Sequence, residues 1–196
     1  MTTESPAKPP RIRAFVALEL DVDVRARIAS LIAQLRPMTA GVRWVAPESL
    51  HVTVRFLGWA TPPALVQLQG PLAEAAAHCP PADAPVRGLG VFPERGSPRV
   101  LWLGIEVPPA VAALQAQCER AAVAAGFPPE PRGFRPHLTL GRWRHPARRP
   151  RLPAADLGAA RLGRLVLFRS ELRRTGPVYT PLAAFALGGP VPDAVG

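Results

Sequence analysis

The chain has 196 residues, 48% of them apolar, so it can bury a sizeable core and is not disordered as a whole. Its formal net charge is +10, carried almost entirely by arginine, because Lys8 is the only lysine. An arginine-rich surface favours polyanions such as RNA, although the base composition of a GC-rich genome explains the same bias equally well. Two cysteines, Cys79 and Cys118, exclude a disulfide framework and a zinc cluster and fit reduced thiols.

The first ten residues are polar and rich in proline, which predicts a flexible tail over residues 1–10 and excludes a signal peptide. Residues 11–196 are expected to form one domain. No apolar run in the sequence is long enough to span a bilayer. These features predict a cytoplasmic monomer with no membrane partner.

The first half of the chain alternates strand and helix patterns. An apolar run from Arg13 to Leu20 predicts a strand. Apolar residues at helical spacing then predict an amphipathic helix that is capped by Asp21 or Asp23 and ends at Pro37 and Gly41. Further along, strands are predicted at residues 42–45 and 51–56, and a second helix starts at Thr61-Pro62, with Gly70-Pro71 expected to kink or split it.

The second half follows the same order after a proline-rich break at residues 80–85. A third helix is predicted to start at Pro108-Pro109 and to end at Gly126. The predicted strands of this half cover residues 86–92, 100–107, 135–140, 162–168 and 179–187, with a basic loop at residues 142–151.

Two segments of the chain resemble each other. Phe15–Leu20 matches Trp102–Val107 position by position, and each run is followed by a helix pattern, a turn with proline and a His-x-Thr-x tetrapeptide. The first pair is offset by 102 − 15 = 87 residues and the two histidines by 137 − 51 = 86 residues. A duplication of this kind predicts two similar lobes, related by a pseudo-twofold axis, whose equivalent strands face each other across a cleft.

The tetrapeptides are His51-Val52-Thr53-Val54 and His137-Leu138-Thr139-Leu140. A strand points alternate side chains to the same face, so each strand buries its aliphatic pair and presents an imidazole beside a hydroxyl. Two histidines suit in-line phosphoryl transfer, in which one group takes a proton from the attacking oxygen and another gives one to the leaving oxygen. The threonine hydroxyls can donate to the nonbridging phosphate oxygens, so the chemistry requires no metal, and no metal site is predicted.

From about Arg13 to Leu187 the chain resembles the RNA 2′,3′-cyclic phosphodiesterases, also called 2′-5′ RNA ligases, of the two-histidine phosphoesterase superfamily. The segments that carry the resemblance are Phe15–Leu18, Val42–Val45, Leu50–Gly58, Phe134–Leu140, Val166–Phe168 and Tyr179. It implies a bilobal fold that combines helices and strands (α+β), with two antiparallel sheets lining a central cleft and helices packed outside. It also implies hydrolysis of RNA 2′,3′-cyclic phosphate ends to 2′-phosphates, with His51 as proton donor and His137 as proton acceptor.

The same acid and base would serve 2′-5′ ligation if an RNA 5′-hydroxyl replaced water as the nucleophile. The residues alone do not order the two histidines, because the lobes are nearly symmetric. Two alternatives stay open: a phosphodiesterase for other small cyclic phosphates or 2′-5′ oligonucleotides, and a non-catalytic RNA-binding module. In each case RNA or a related phosphate is the expected partner, and no cofactor is expected.

Five further side chains are weaker candidates for substrate contacts. Arg135 and Arg142 flank the second motif and are candidates for phosphate, and Phe56 is a candidate for stacking on a base. Strand alternation predicts that Arg55 shares a face with His51, as Arg135 does with His137. Tyr179, the only tyrosine, is a further stacking candidate.

Overall fold

The computed structural model describes residues 10–173 and 176–189, so the predicted tail lies outside the described residues except for Pro10. Strands and helices alternate through most of this range, as the sequence patterns predict. The strands are β1 (Ile12–Glu19), β2 (Val42–Trp44), β3 (His51–Ala60), β4 (Ala82–Phe92), β5 (Val100–Ile105), β6 (His137–Trp143), β7 (Asp156–Leu162), β8 (Arg164–Arg173) and β9 (Gly176–Ala186). The α-helices are α1 (Val22–Leu35), α2 (Pro62–Ala77) and α3 (Pro109–Ala124).

The equivalent strands of the two repeats hold equivalent places on either side of the middle of the sheet. The order is β7-β4-β5-β6-β3-β1-β8-β9, with every neighbouring pair antiparallel. β5 and β6 therefore hold the same places on one side as β1 and β3 hold on the other. Along this order the two halves meet between β3 and β6, through the single pair Val52–Leu138. The duplicated, bilobal α+β fold is confirmed, and its two antiparallel halves join where the two tetrapeptides lie.

The helices cover the face of the sheet that carries the aliphatic residues of the tetrapeptides. Val52 and Leu138 are fully buried and belong to one cluster with the apolar residues of all three helices, which include Ile28, Leu68 and Leu114. Burial of such side chains contributes about 1.5–3 kcal/mol each relative to exposure. The opposite face of β3 and β6, with the histidines and threonines, is left for the cleft.

A β-bulge occurs at the last residue of the tetrapeptide in both lobes, Val54 and Leu140. Between Ala17 and Val16 the partner on β3 jumps from Thr53 to Arg55, and between Trp102 and Leu101 the partner on β6 jumps from Thr139 to Gly141. The first seven residues of β3 and β6 consequently share one burial pattern. Because Ala17 and Trp102 hold equivalent places, the offset of these strands is 102 − 17 = 85 residues, two fewer than the apolar runs indicate. A shift of two residues keeps each side chain on its predicted face.

Several predicted boundaries are wrong, each for a local reason. β4 begins at Ala82, inside the proline-rich break. Pro85 does not interrupt the strand, because its carbonyl still accepts a hydrogen bond from Glu106 N at 2.8 Å. Pro71 neither ends nor splits α2, which runs continuously from Pro62 to Ala77. The prediction missed β7 and also placed Arg142 in a loop rather than in β6.

The sequence did not indicate that β2 crosses between the lobes. It follows α1 of the first lobe but pairs with β6 of the second, placing Trp44 opposite Gly141. A Cβ on Gly141 would lie 2.4 Å from Val42 Cγ1 and 2.9 Å from the Arg43 carbonyl oxygen. Glycine is therefore required there for β2 to approach, and this contact brings Arg43 to the cleft.

Candidate active site

Both predicted catalytic histidines stand at the first residue of a strand, β3 for His51 and β6 for His137. The His51 Nδ1 donates to the Ser49 carbonyl at 2.8 Å, and the His137 Nδ1 donates to the Arg135 carbonyl at 2.7 Å. A carbonyl only accepts, so both rings carry their proton on Nδ1 in the neutral form. This leaves each Nε2 to accept a proton, or to give one when the ring is charged.

The antiparallel pairing of β3 with β6 sets the two motifs against each other. Because Val52 lies opposite Leu138, the neighbouring positions bring His51 towards Thr139 and Thr53 towards His137. Each histidine thus faces the threonine of the other lobe, and the two imidazoles lie on a diagonal. This arrangement places an acid–base group at each end of a small site and hydroxyl donors between them.

His51 lies among aromatic rings. Its centroid is 4.7 Å from that of Phe15, 6.4 Å from Phe168 and 5.2 Å from Tyr179, which meets it edge-on at 86°. Burial, together with the positive charges of nearby His137, Arg142 and Arg25, lowers the pKa of His51 to about 4, and only the Ser49 hydrogen bond opposes this. In the ligand-free protein His51 is therefore neutral at pH 7.

His137 has a more open setting. Phe92 approaches its ring edge-on, with centroids 5.3 Å apart, and among the described residues this is the one aromatic ring in direct contact with it. Burial also lowers the pKa of His137, helped by the charges of Arg142 and Arg135, while the bond to the Arg135 carbonyl raises it. The two histidines therefore share one local geometry but differ in how strongly they are desolvated.

A cavity of about 200 Å³ lies over the motif threonines. It brings together Thr53, Thr139 and His51 with the cationic side chains of Arg43 and Arg142. The rest of the lining is contributed by Trp44, Val45, Ala46, Ser49, Gly176, Pro177 and Tyr179. Three of the four motif side chains predicted from sequence, His51, Thr53 and Thr139, thus meet Tyr179 and Arg142 at one site that can hold an anion. His137 lines a different hollow.

A second hollow, of about 310 Å³, adjoins His137. It is lined by Phe92, Trp102, Phe134, Arg135, Pro136 and His137. The Arg135 guanidinium stacks over the Phe92 ring at 5.0 Å and pairs with Glu94 at 2.7 Å. Trp102 lies across Gly90, where a Cβ would come within 2.1 Å of the indole ring. This hollow is open, aromatic and cationic, which are properties that favour a nucleobase.

The prediction that Arg55 shares a face with His51 is wrong, because the bulge at Val54 reverses the alternation. Arg55 is only 4% exposed and points to the helical side, where its Nε lies 2.5 Å from Glu119 Oε2 of α3. Its Nη2 donates to the Pro128 carbonyl, and its Nη1 lies 3.7 Å from Glu130 Oε2. Arg55 therefore holds the segment that leads from α3 to His137.

Phe56 lies on the cleft face of β3 but does not line either cavity. Its ring is 39% exposed and lies beneath the Arg13 guanidinium, 4.7 Å away. A role for Phe56 in substrate binding stays a prediction. Its counterpart after the bulge of β6 is Arg142, which does line the cavity, so equivalent positions of the two lobes carry different chemistry.

Sequence reasoning missed four side chains at these sites: Arg43, Phe92, Trp102 and Phe134. Arg43 was hidden because β2 crosses to the other lobe. The aromatic three lie in three separate segments, and no spacing rule brings them together. The available signal was their aromatic type together with their position. Phe134 lies shortly before the second tetrapeptide, and Trp102 belongs to the repeated apolar run.

Within residues 10–173 and 176–189, no group of three or more His, Cys, Asp or Glu side chains is arranged to hold a metal ion. Cys79 and Cys118 are free and buried, and burial raises the pKa of both thiols. No helix in the described part of the chain has the length and apolar character needed to cross a membrane.

Comparison with known proteins decides the family. The model of the LigT-like phosphoesterases matches residues 18–102 and 104–179, so one matched segment contains His51 and the other His137. The chain belongs to the LigT-like phosphoesterase family.

Its relatives include the RNA 2′,3′-cyclic phosphodiesterase of Methanothermobacter thermautotrophicus, with 34% identity over 90% of this chain and 100% of the relative. The enzyme of the same name from Thermus thermophilus is 35% identical, covering 91% of each chain. Among solved structures, E. coli LigT in complex with 3′-AMP superposes with a TM-score of 0.79 and 27% identity, covering 91% of this LigT-like chain and 99% of that one.

Proposed function

We propose that this LigT-like protein hydrolyses RNA 2′,3′-cyclic phosphate ends to 2′-phosphates without a metal ion. The observation that carries the proposal is the mutual placement of the two motifs, in which each histidine faces the threonine of the other lobe. Two relatives that cover nine tenths of the chain are named RNA 2′,3′-cyclic phosphodiesterases, which supports the same reaction.

In the proposed step a water oxygen bonds to phosphorus while the bond from phosphorus to O3′ breaks. One histidine takes the water proton at Nε2, and the other gives its Nε2 proton to O3′. The product carries a 2′-phosphate and a 3′-hydroxyl, and the two histidines have exchanged their protonation states. General acid–base catalysis of this kind contributes about 10²–10⁴-fold to the rate.

We assign the donor role to His51 and the acceptor role to His137, as the family resemblance implies. The surroundings of His51 work against its charged form in the free protein, since its pKa is lowered to about 4. A bound phosphate anion reverses part of this, because a nearby negative charge favours the protonated imidazole. The donor role of His51 therefore depends on substrate binding to raise its pKa.

Thr53 and Thr139 are proposed to donate hydrogen bonds to the nonbridging oxygens, where negative charge concentrates in the transition state. Arg142 lines the same cavity and is exposed enough to meet a phosphate. Arg135, stacked on Phe92 beside His137, is proposed to contact a base that enters the aromatic hollow. A base site favours nucleotide ends over other small cyclic phosphates.

The test is the product formed from an RNA oligonucleotide that ends in a 2′,3′-cyclic phosphate. We expect only the 2′-phosphate, and undiminished turnover in EDTA. A 3′-phosphate product would contradict the bond assignment, and loss of activity in EDTA with recovery on adding a metal would contradict the metal-free mechanism. A panel that adds cyclic mononucleotides and 2′-5′ oligonucleotides separates the alternative substrates, and binding without turnover of any of them would indicate a non-catalytic RNA-binding module.

The order of the histidines is tested with a leaving group that needs no acid. A nucleoside 2′-(p-nitrophenyl phosphate) releases p-nitrophenolate without protonation and gives the same 2′-phosphate. We expect this substrate to restore turnover to His51→Ala and not to His137→Ala. Restoration of His137→Ala instead would reverse the two roles.

We also propose that the protein is a cytoplasmic monomer that needs no cofactor, and that the same site can join a 5′-hydroxyl end to the cyclic phosphate. Ligation would replace water by the O5′ of a second RNA strand and leave the acid and base unchanged. Supplying RNA with a 5′-hydroxyl together with the cyclic end tests it, with a 2′-5′ linked product as the expected result.

A further inference from the structure

Two loops at one end of the second lobe form a single basic structure. The first joins β4 to β5 and the second follows β6. The Ser97 hydroxyl accepts from Ala147 N at 2.9 Å and donates to the Ala147 carbonyl at 3.3 Å. Arg149 Nη2 donates to the Pro93 carbonyl at 2.7 Å. The two loops are therefore packed together and present their side chains as one surface.

This surface carries six exposed arginines, which we call the arginine rim: Arg95, Arg99, Arg144, Arg148, Arg149 and Arg151. The only acidic residue in residues 93–99 and 144–151 is Glu94, which is already paired with Arg135. None of the six forms a salt bridge within the described part of the chain. Several arginines elsewhere on the surface are paired with a carboxylate, as Arg87 is with Glu106 at 2.6 Å and Arg161 with Asp83 at 3.2 Å.

The rim is continuous with the candidate active site at two points. Phe92, whose ring contacts His137, directly precedes Pro93, the residue that receives the Arg149 hydrogen bond. On the other side Arg142 lines the cavity, and the backbone N–H of Trp143 after it donates to the Arg99 carbonyl at 3.0 Å. A chain leaving the hollow beside His137 would therefore meet the rim next.

We propose that the arginine rim binds the phosphate backbone of single-stranded RNA upstream of its cyclic end, so that the enzyme prefers oligonucleotides to cyclic mononucleotides. The proposal rests on the proposed function for its catalytic readout. Unpaired arginines suit a phosphodiester backbone because the guanidinium gives two parallel hydrogen bonds and releases condensed counterions. Contacts of this kind add affinity without selecting a base sequence.

The test compares two double variants that lose the same charge. Arg95→Gln/Arg148→Gln removes two rim arginines, whereas Arg27→Gln/Arg120→Gln removes two exposed arginines on α1 and α3, on the helical side of the sheet. The substrates are a short RNA oligonucleotide and a mononucleotide, each ending in a 2′,3′-cyclic phosphate.

Each arginine–phosphate contact to single-stranded nucleic acid adds about 0.7 to the slope of log affinity against log salt concentration. At about 0.15 M salt the loss of two such contacts should therefore lower kcat/KM on the oligonucleotide roughly tenfold, mostly through KM. The slope of log kcat/KM against log salt concentration should become shallower by about 1.4. The mononucleotide should be turned over as by the unaltered protein, and the helical-side variant should match that protein on both substrates.

Equal losses in both variants, or an equal loss on both substrates, would overturn the proposal. Binding of an RNA with a plain 3′-hydroxyl end, followed by fluorescence anisotropy, keeps the test independent of catalysis. Weaker binding by the rim variant alone would support the rim even if no cyclic phosphate were hydrolysed, in which case the proposed function would be the part that fails. Equally tight binding of polyglutamate would overturn the assignment to RNA.

Discussion

The strands β3 and β6 begin with the same tetrapeptide pattern, bulge at the same place and share a burial pattern, yet they place their histidines in different surroundings. His51 contacts three aromatic rings, whereas His137 meets Phe92 and borders an open hollow. After the bulge, β3 has Arg55 and Phe56 where β6 has Gly141 and Arg142. The duplication thus preserved the backbone and the acid–base pair, while the flanking side chains gave each lobe a separate task.

The largest expected effect tests whether the two lobes contribute equally to catalysis. His51→Ala and His137→Ala should each lower kcat by about 10²–10⁴-fold, because each removes one member of the acid–base pair. Circular dichroism should show both variants folded. His78→Ala, at the end of α2, is the control and should retain full activity. Near-normal turnover by either motif variant would remove that histidine from the site.

The next largest effect is expected on stability, at Arg55, the residue that follows the bulge in β3. Arg55→Ala should lower the free energy of unfolding by about 2–4 kcal/mol, because it leaves the Glu119 carboxylate without its cation and takes one of two nearby arginines from Glu130, while both carboxylates keep some contact with water. Denaturant unfolding measures the loss, and Arg55→Lys should recover part of it. An Arg55→Ala protein as stable as the original would show that this cluster does not hold the segment before His137.

Burial of His51 should also appear as acid sensitivity. Its pKa is about 6.5 in the unfolded chain and about 4 in the folded protein, so the unfolded state binds the extra proton as the pH falls between these values. The lowered pKa of His51 should therefore reduce the free energy of unfolding by roughly 3 kcal/mol at pH 4 and leave it unchanged above pH 7. The measurement is the unfolding free energy of the original and His51→Phe proteins at both pH values; an unchanged difference between them would contradict the lowered pKa.

The smallest effect distinguishes Arg142 from its neighbours. Its charge lowers the pKa of both motif histidines, so Arg142→Gln should raise both. The rise should be small, because the Arg142 side chain is exposed and its charge is screened by solvent. Titration of the histidine ring protons by NMR in the ligand-free protein measures it. Arg144→Gln is the matched control, and equal shifts in the two variants would show only an effect of net charge.

Residues close together in the chain could be predicted well, because strand alternation and helical spacing are local rules. The faces of His51, Thr53, His137 and Thr139 follow from period two alone, and the repeat indicated that both motifs hold equivalent places. Alternation failed at Arg55, where a bulge adds one residue, and β7 was missed because a short strand with Gly158 at φ 72° carries little apolar pattern.

The sequence by itself determined that a histidine and a threonine recur in two matching motifs, and it predicted that these side chains carry the chemistry. Only the tertiary structure decided which groups meet. The crossing of β2 brings Arg43 to the cavity, and pairing of β4 with β5 sets Phe92 over Trp102 beside His137. It also decided that His51 is the more desolvated histidine, since Phe15, Phe168 and Tyr179 come from three different strands. Desolvation depends on contacts between distant segments, which no local spacing encodes.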